Sequence, residues 1–211
     1  MTLPSLLRAL LVATHVFSLG GCSALTALGS ASTPLDVYEL RAPGPSGARP
    51  GRVIPVDVTI ELPTSGGALQ TDRIMIKPGP LQAEYLPQAR WGDETPVMLQ
   101  TLLLRSIEAT QAVRYIGRRP LGARADYAII TELTDFQAEL TESRDTAEVR
   151  ISFISRMVRE DDARIVATRT FSSNFTAQSL ETKAIIEAFD RASTGLLSEF
   201  SSWVLATLRR R

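Results

Sequence analysis

Three long runs of alternating apolar and polar residues occupy the second half of this chain and limit most strongly what it can fold into. They extend from Ala125 to Leu140, from Thr146 to Arg159 and from Arg164 to Thr176, and short polar segments separate them. Alternation with a period of two is typical of strands with one buried face, and short turns join antiparallel strands. The sequence therefore predicts a three-stranded antiparallel meander. The predicted buried face carries Val149, Ile151, Phe153 and Met157 from the middle strand and Ile165, Ala167, Phe171 and Phe175 from the last strand.

The apolar face of such a sheet needs a cover, and the segment from Leu180 to Leu208 has the helical spacing to provide it. Arg209, Arg210 and Arg211 follow at the negative end of this predicted helix, where cations are favourable. Capping of the helix is the favoured interpretation of these arginines, and contact with anionic lipid is the alternative. The apolar positions of the helix are Ile185, Phe189, Ala192, Leu196, Phe200, Trp203 and Leu208.

Further strands are predicted at the start of the domain. A short strand covers Asp36 to Arg41, and a loop rich in proline and glycine covers Pro43 to Gly51. A stronger strand from Arg52 to Leu62 follows, because its residues alternate in polarity. Its predicted buried side chains are Val56, Val58, Ile60 and Leu62. A hairpin comes next, with strands at Arg73 to Lys77 and Leu81 to Leu86 joined by a type II turn at Pro78-Gly79.

A first helix is predicted between the hairpin and the meander. Thr95 is expected to cap it, Pro96 lies in its first turn, and the helix continues to about Gln111. Its predicted apolar residues are Val97, Leu99, Leu102, Leu103 and Ile107. Taken together, these elements predict an α+β fold: a mixed, largely antiparallel sheet with two helices packed on one face.

The N-terminal residues have the layout of a signal peptide that ends in a lipid attachment site. Arg8 precedes an apolar run from Ala9 to Leu19, which is too short to be a permanent membrane span. The residues Leu19-Gly20-Gly21-Cys22 then resemble the bacterial lipobox. A lipobox is cleaved immediately before its cysteine, here between Gly21 and Cys22, and the cysteine receives fatty acyl chains such as palmitate. The sequence thus predicts Cys22 as the lipidated first residue of the mature protein.

These features divide the chain into three parts. Residues 1–21 are the predicted signal peptide, residues 22–35 the lipidated cysteine and a flexible tether, and residues 36–211 a single domain. The alternative for the first part is an ordinary secreted protein whose cleavage site contains a cysteine. The residue after Cys22 is Ser23 and not aspartate, which resembles the outer-membrane signal of Gram-negative lipoproteins.

Composition limits the chemistry that remains. Cys22 is the only cysteine and His15, within the signal peptide, is the only histidine, so disulfides, Cys/His zinc sites and histidine triads are not expected in the mature chain. Removal of residues 1–21 leaves 22 basic against 23 acidic residues, a balance that argues against nucleic-acid binding. The acidic pairs Asp93/Glu94 and Asp161/Asp162 are interpreted as a helix start and a turn, and neither is expected to be catalytic.

Several short sequence pieces occur in a characteristic order. They are the lipobox at Leu19 to Cys22, the opening Tyr38-Glu39-Leu40-Arg41-Ala42-Pro43, and the run from Arg73-Ile74 through Leu81-Gln82-Ala83-Glu84-Tyr85 to Arg90-Trp91 before Pro96. Together with the predicted elements, this order resembles the ABC-type transport auxiliary lipoprotein family over essentially the whole mature chain.

The resemblance implies a non-enzymatic lipoprotein that docks a lipid transport assembly at the periplasmic face of the outer membrane. The implied partners are a mammalian-cell-entry-domain protein of an ABC lipid transporter, the membrane through the lipid anchor, and further copies of the chain in a homo-oligomer. No cofactor or metal is implied. One alternative is an outer-membrane assembly lipoprotein partnered with a β-barrel, and the least favoured is an envelope hydrolase that uses carboxylates.

Two aromatic residues are candidates for a partner interface. Trp91 lies just before the first predicted helix and Tyr85 lies in the preceding strand. Buried aromatic anchors often contribute much of the binding energy of an interface. Packing in the core is the favoured alternative for Trp91.

Overall fold

The computed structural model describes residues 34–44 and 52–210. The chain divides between Leu35 and Asp36 into two units, and the elements below all belong to the second. The predicted signal peptide, Cys22, most of the predicted tether and residues 45–51 of the predicted loop lie outside the described residues.

Nine strands and two α-helices form the described part of the chain. The strands are β1 (Asp36–Tyr38), β2 (Ile54–Ile60), β3 (Thr64–Ser65), β4 (Arg73–Gly79), β5 (Gln82–Trp91), β6 (Val113–Gly117), β7 (Tyr127–Leu140), β8 (Ala147–Arg159) and β9 (Arg164–Ala177). The helices are α1 (Thr95–Glu108) and α2 (Thr182–Arg209), and a short 3₁₀ helix covers Gly67–Leu69.

The predicted meander is confirmed. Strand β7 pairs antiparallel with β8, and β8 pairs antiparallel with β9. One row across the three strands consists of Leu133, Phe153 and Phe171. All three side chains are buried, as the alternation predicts.

The prediction for Ile165 is wrong, because β9 contains a bulge. Ala167 lies opposite Met157, but Ile165 lies opposite Val158, so Val166 is an extra residue in β9. The extra residue turns Ile165 to the opposite face of the sheet. Its side chain is consequently 54% exposed.

The second edge of β7 pairs with three further strands in succession. Val58 of β2 lies opposite Tyr127, Ser65 of β3 opposite Leu133, and Ile76 of β4 opposite Ala138, and all three pairings are parallel. Strand β6 adds parallel to β2, β5 adds antiparallel to β4, and β1 adds parallel to β5. The sheet is therefore mixed, as expected, and the predicted α+β class is confirmed.

The buried side chains predicted from the alternation in the β2 region are only partly confirmed. Val58 and Ile60 are buried, but Leu62 lies beyond the end of the strand and is exposed. Thr59, which the alternation places on the polar face, is also buried, and its hydroxyl lies 3.5 Å from the carbonyl oxygen of Tyr127. Strand β2 pairs with β6 along one edge and with β7 along the other, so it is an interior strand of the sheet.

The hairpin is confirmed, but its turn lies two residues later than predicted. Gly79 pairs with Gln82, so the strand continues through Pro78 and Gly79. Pro80 and Leu81 form the turn instead. A type II turn needs a positive φ at its second central residue, and no described glycine has one.

Helix α1 starts near its predicted position and ends three residues earlier than predicted, at Glu108. Thr95 is not the cap: Glu94 occupies that position, and the Thr95 hydroxyl instead donates a hydrogen bond of 3.0 Å to the carbonyl oxygen of Thr71. The apolar face is largely as expected, with Met98 buried in addition and Val97 only half-buried. The buried leucines and isoleucine are Leu99, Leu102, Leu103 and Ile107.

Helix α2 lies on the buried face of the meander, against β8 and β9. Its aromatic residues join two clusters in the core. In the first, the Phe189 ring lies 5.3 Å from Trp91 and 5.2 Å from Phe136. In the second, Phe200 lies 6.2 Å from Phe153 and 5.6 Å from Phe171. Within the described residues, neither helix has the combination of length and apolar character needed to cross a membrane.

Replacement of Gly195 by alanine is expected to stabilise the protein. Gly195 is exposed within α2, and no other part of the protein lies within 4 Å of a Cβ atom built there. Since glycine is less favourable than alanine inside a helix, Gly195→Ala should raise the free energy of unfolding by about 0.5–1 kcal/mol. Urea unfolding should show a higher midpoint with an unchanged m value. The reverse change at an exposed position of the same helix, Ala206→Gly, should lower the midpoint, and a lower midpoint for Gly195→Ala would contradict the prediction.

Candidate functional site

The predicted site residues fall into two groups. Gly21 and Cys22, the predicted cleavage and lipidation site, lie outside the described residues. Trp91 is only 1% exposed, and its ring makes edge contacts with Phe136 and Phe189. Trp91 is therefore a core residue, and the interpretation of it as a partner contact is wrong, because a partner would have to displace part of the core to reach it.

Tyr85 is half-buried, so one side of its ring remains accessible. Its hydroxyl donates a hydrogen bond of 3.0 Å to the carbonyl oxygen of Ala68, and the guanidinium carbon of Arg73 lies 5.7 Å from the ring centroid. These contacts fix the ring against β4 and the short 3₁₀ helix. A role for Tyr85 in partner binding stays a prediction.

An ion pair fastens the N-terminal segment of the domain to α2. Asp190 is 7% exposed and lies on the buried side of the helix. Its Oδ1 atom accepts a hydrogen bond of 3.0 Å from the backbone N–H of Arg41, and its Oδ2 atom accepts one of 2.9 Å from Nε of the same residue. The Nη2 atom of Arg41 also donates to Oδ2. We call this contact between Arg41 and Asp190 the N-terminal clamp.

The clamp determines the charge state of Asp190. Burial alone would raise the pKa of the Asp190 carboxyl, but the hydrogen bonds and the positive charge of Arg41 outweigh burial and hold that pKa below its usual value. The carboxyl is therefore ionised at neutral pH. The same hydrogen bonds raise the pKa of the Arg41 guanidinium.

Strand β1 adds further attachments beside the clamp. Tyr38 pairs with Trp91, and the N–H of Gly92 donates a hydrogen bond of 2.9 Å to the carbonyl oxygen of Tyr38. A Cβ atom at residue 92 would lie 3.1 Å from Oε1 of Glu39, so glycine leaves room for the Glu39 side chain. The first residues of the domain are thus held by backbone pairing on one side and by an ion pair on the other.

Sequence reasoning did not find the clamp, because its two residues are 149 positions apart. A signal was present in α2, where Asp190, next to Phe189, is the only charged residue on the buried side of the helix. A carboxylate at such a position requires a partner. The identity of that partner depends on where β1 lies in the sheet, which the local pattern does not specify.

A shallow groove of about 550 Å³ lies between the tips of two hairpins. The β4–β5 tip contributes Lys77 and Pro80, and the β7–β8 tip contributes Glu142 and Arg144. Leu81, beside this groove, is fully exposed. The open shape and mixed charge of the groove suit contact with another macromolecule better than enclosure of a small substrate.

The acidic pairs named in the sequence have structural roles. Glu94 occupies the N-cap of α1. Asp162 accepts hydrogen bonds of 3.0 and 2.6 Å from Arg159, and this contact lowers the pKa of the Asp162 carboxyl to about 2. Within residues 34–44 and 52–210, no group of three or more histidine, cysteine, aspartate or glutamate side chains could hold a metal ion.

Comparisons with known proteins agree with this architecture. The family model of the ABC-type transport auxiliary lipoprotein component matches residues 38–200. An uncharacterized protein of Bradyrhizobium diazoefficiens is 25% identical over 190 residues, which are 89% of this chain, and the chain spans about half (49%) of that relative's length. A crystal structure of a Xanthomonas campestris protein of the DUF330 family is similar with a TM-score of 0.74 and 21% identity, over 83% of this chain and 97% of the other. A second crystal structure, of an uncharacterized protein, has a TM-score of 0.58 and 11% identity over 82% and 97% of the two chains. The two crystal structures support the fold.

Loss of the clamp is expected to loosen β1 selectively. In Asp190→Asn the charge-assisted hydrogen bonds to Arg41 are weakened, so amide hydrogen exchange in β1 should accelerate on the order of tenfold at neutral pH. Hydrogen exchange with mass spectrometry on peptides that cover residues 36–41 measures this. The control is Asp162→Asn, which removes an exposed ion pair with Arg159 and should leave exchange in β1 unchanged. Equal acceleration in both variants would contradict the prediction.

The clamp should also make stability depend on pH. The pKa of Asp190 is lower in the folded protein than in the unfolded chain, so its contribution is fully present above the ordinary carboxyl pKa of about 4. The contribution is lost as pH falls through the lowered pKa. The difference in unfolding free energy between the wild type and Asp190→Asn should therefore be constant near neutral pH and shrink in acid. A difference that grows in acid would contradict this assignment.

Proposed function

The chain belongs to the ABC-type transport auxiliary lipoprotein family, and from this membership we propose that it is the lipid-anchored docking component of an ABC-type lipid transport system in the Gram-negative envelope. The proposed partner is a mammalian-cell-entry-domain protein of that system. The proposed location is the periplasmic face of the outer membrane. In this proposal, the protein holds the transport assembly at the membrane and does not catalyse a reaction.

The family match over residues 38–200 is the observation that carries this proposal. The match begins at Tyr38, in the strand β1 that follows the predicted tether. Cys22 supplies the anchor in this proposal. Each buried methylene contributes about 0.8 kcal/mol to membrane binding, so the two or three acyl chains of a lipobox cysteine give stable attachment where a single chain does not.

The predicted tether and the N-terminal clamp have different roles in attachment to the membrane. The twelve residues from Ser23 to Pro34 reach at most about 40 Å when extended, which allows the domain to stand clear of the lipid surface. A load between the membrane and a docked transporter passes from Cys22 into β1. Pairing of β1 with β5 and the contact between Arg41 and Asp190 resist that load. In this proposal, the N-terminal clamp strengthens the segment of the domain that receives the pull of the lipid anchor.

An affinity purification in detergent tests the proposal. The full-length protein is expected to carry acyl chains on Cys22 and to co-purify with a mammalian-cell-entry-domain protein, both detectable by mass spectrometry. Cys22→Ala should leave the N-terminal peptide without acyl chains and the protein outside the outer-membrane fraction. An unmodified Cys22 in the wild type, or a β-barrel protein as the only specific partner, would contradict the proposal.

The residue after the cysteine provides a second test. Ser23→Asp is expected to keep acylation but to shift the protein from the outer-membrane to the inner-membrane fraction on a density gradient. Ser23→Ala is the matched control and should fractionate as the wild type does. If the wild type fractionates with the inner membrane, the proposed outer-membrane location is wrong. The proposed partner is then tested only by the affinity purification.

A further inference from the structure

The connection between β6 and β7 is rich in arginine. Residues 118–124 are all exposed and have the sequence Arg-Arg-Pro-Leu-Gly-Ala-Arg, without an acidic residue. The last of these arginines, Arg124, forms an ion pair of 2.9 Å with Asp161. Among the carboxylates of residues 34–44 and 52–210, none forms an ion pair with Arg118 or Arg119. We call residues 118–124 the arginine loop.

Uncharged side chains of α1 hold the Arg118 side chain in position. Its Nε atom donates a hydrogen bond of 3.1 Å to Oε1 of Gln100, and its Nη2 atom donates one of 2.8 Å to Oγ1 of Thr101. Gln100 is buried, and its Nε2 atom donates a hydrogen bond of 2.8 Å to the carbonyl oxygen of Ile60. A guanidinium group has five N–H donors, so three remain for a ligand. The positive charge of Arg118 is thus positioned but not neutralised.

The backbone of the arginine loop is attached to β6. The hydroxyl group of Tyr115 donates a hydrogen bond of 2.7 Å to the carbonyl oxygen of Arg119. The same side chain lies across Gly117, where a Cβ atom would overlap the tyrosine hydroxyl group. Glycine therefore permits this contact. Leu121, two residues after Arg119, is 70% exposed. A surface that is held in place before binding loses less conformational entropy when it binds.

The arginine loop lies at the end of β7 that is remote from β1. Gly117 of β6 pairs with Thr59 of β2, and Thr59 pairs with Ala128 near the start of β7. Strand β4, which joins β1 to the sheet through β5, pairs with Ala138 near the end of β7. Ten residues of strand separate these two positions and span about 33 Å. The loop is therefore distant from the strand that follows the predicted tether.

The chemistry of the loop favours an acidic protein segment as its ligand. Guanidinium groups without carboxylate partners attract carboxylates, and clusters of arginine are a recurrent means of binding acidic motifs. The exposed Leu121 adds an apolar contact, as protein interfaces combine apolar and polar groups. A nucleic acid would require a larger excess of cations, and the whole chain is balanced in charge. The distance from β1 favours a protein over the membrane surface that carries the predicted anchor.

We propose that the arginine loop binds an acidic segment of a partner protein. Arg118 and Arg119 bind carboxylates of the segment, and Leu121 contacts an apolar side chain between them. Arg118 also orients the segment, because its contacts with α1 fix the plane of its guanidinium group. This inference goes beyond the proposed function, because it concerns recognition by this loop whatever the identity of the partner protein.

A labelled peptide tests the proposal on the full-length protein in neutral detergent micelles at low salt. The probe is a fluorescein-labelled peptide of about eight residues, all glutamate except for one central leucine. Fluorescence anisotropy should show saturable binding to the protein and none to empty micelles. The same peptide with lysine in place of glutamate should bind at least about tenfold more weakly. Added salt should weaken binding of the glutamate peptide, because it screens exposed charges.

Variants of the loop locate the binding surface. Arg118→Gln and Arg119→Gln should each raise the Kd about fivefold, because each removes a charge-assisted hydrogen bond to the peptide. Arg118→Lys keeps the charge but cannot make both hydrogen bonds to Gln100 and Thr101, so its Kd should lie between those of the wild type and Arg118→Gln. The matched control is Arg144→Gln, an exposed arginine in the turn between β7 and β8, whose Kd should stay within about twofold. Urea unfolding confirms that each variant is folded, and Arg119→Gln carries little risk to the core because Arg119 is exposed.

Three results would overturn the proposal. One is the absence of saturable binding of the glutamate peptide to the wild type. Another is equal binding of the glutamate and lysine peptides. The third is an unchanged Kd in both Arg118→Gln and Arg119→Gln.

Two further measurements identify a different occupant if the glutamate peptide does not bind. A wild-type dimer that Arg119→Gln converts to monomer would show that a second copy occupies the loop. A blue shift of a fluorophore attached at Leu121→Cys, on transfer of the protein from detergent to phosphatidylglycerol vesicles, would show that lipid occupies it. Either result contradicts the proposal.

The inference and the proposed function fail separately. Peptide binding without a mammalian-cell-entry-domain partner in the affinity purification would leave this inference standing while the proposed function fails. Recovery of that partner without peptide binding would leave the proposed function standing while this inference fails.

Discussion

The pairing of β7 on both edges is the constraint on which the rest of the fold depends. One edge pairs with β8 along its whole length, and the other pairs in succession with β2, β3 and β4. Every other strand reaches the sheet through one of these neighbours. The side chains of β7 alternate between the two faces, so a shift of one residue would move Leu133 and Ala138 from the core to the opposite face. The register of this single strand therefore sets the composition of the core.

Length matching explains how one helix covers the meander. The 28 residues of α2 rise about 42 Å, and the 14 residues of β9 span about 46 Å. The aromatic clusters around Phe189 and Phe200 hold the helix against the sheet at two points along this length. The opposite face carries cross-strand ion pairs such as Arg150 with Glu139 at 3.4 Å. The two faces of one sheet are thus stabilised by different physical means.

The sequence predicts those parts of the fold that depend on neighbouring residues. The meander and both helices follow from periodicity and short polar turns, and these are confirmed. Among the strands, the errors concern Ile165, Leu62 and the turn predicted at Pro78-Gly79, and each depends on register with another strand or on where a strand ends. The clamp could not be predicted because Arg41 and Asp190 meet only after β1 has joined β5. Trp91 shows the same limit: the sequence favours packing in the core over a partner interface for an aromatic residue before a helix, and its exposure of 1% follows only from the contacts of the folded chain.

After β9 the chain leaves the sheet, enters α2 at Thr182 and crosses the buried face of the meander. Within residues 34–44 and 52–210, the only strand that pairs with β9 is β8. The last strand of a sheet can pair with a copy of the same protein, and charged side chains are a common protection against such pairing. Strand β9 contains Arg164 and Arg169 and no acidic residue, so pairing between two β9 strands would bring like charges together. The composition of this strand therefore opposes self-association.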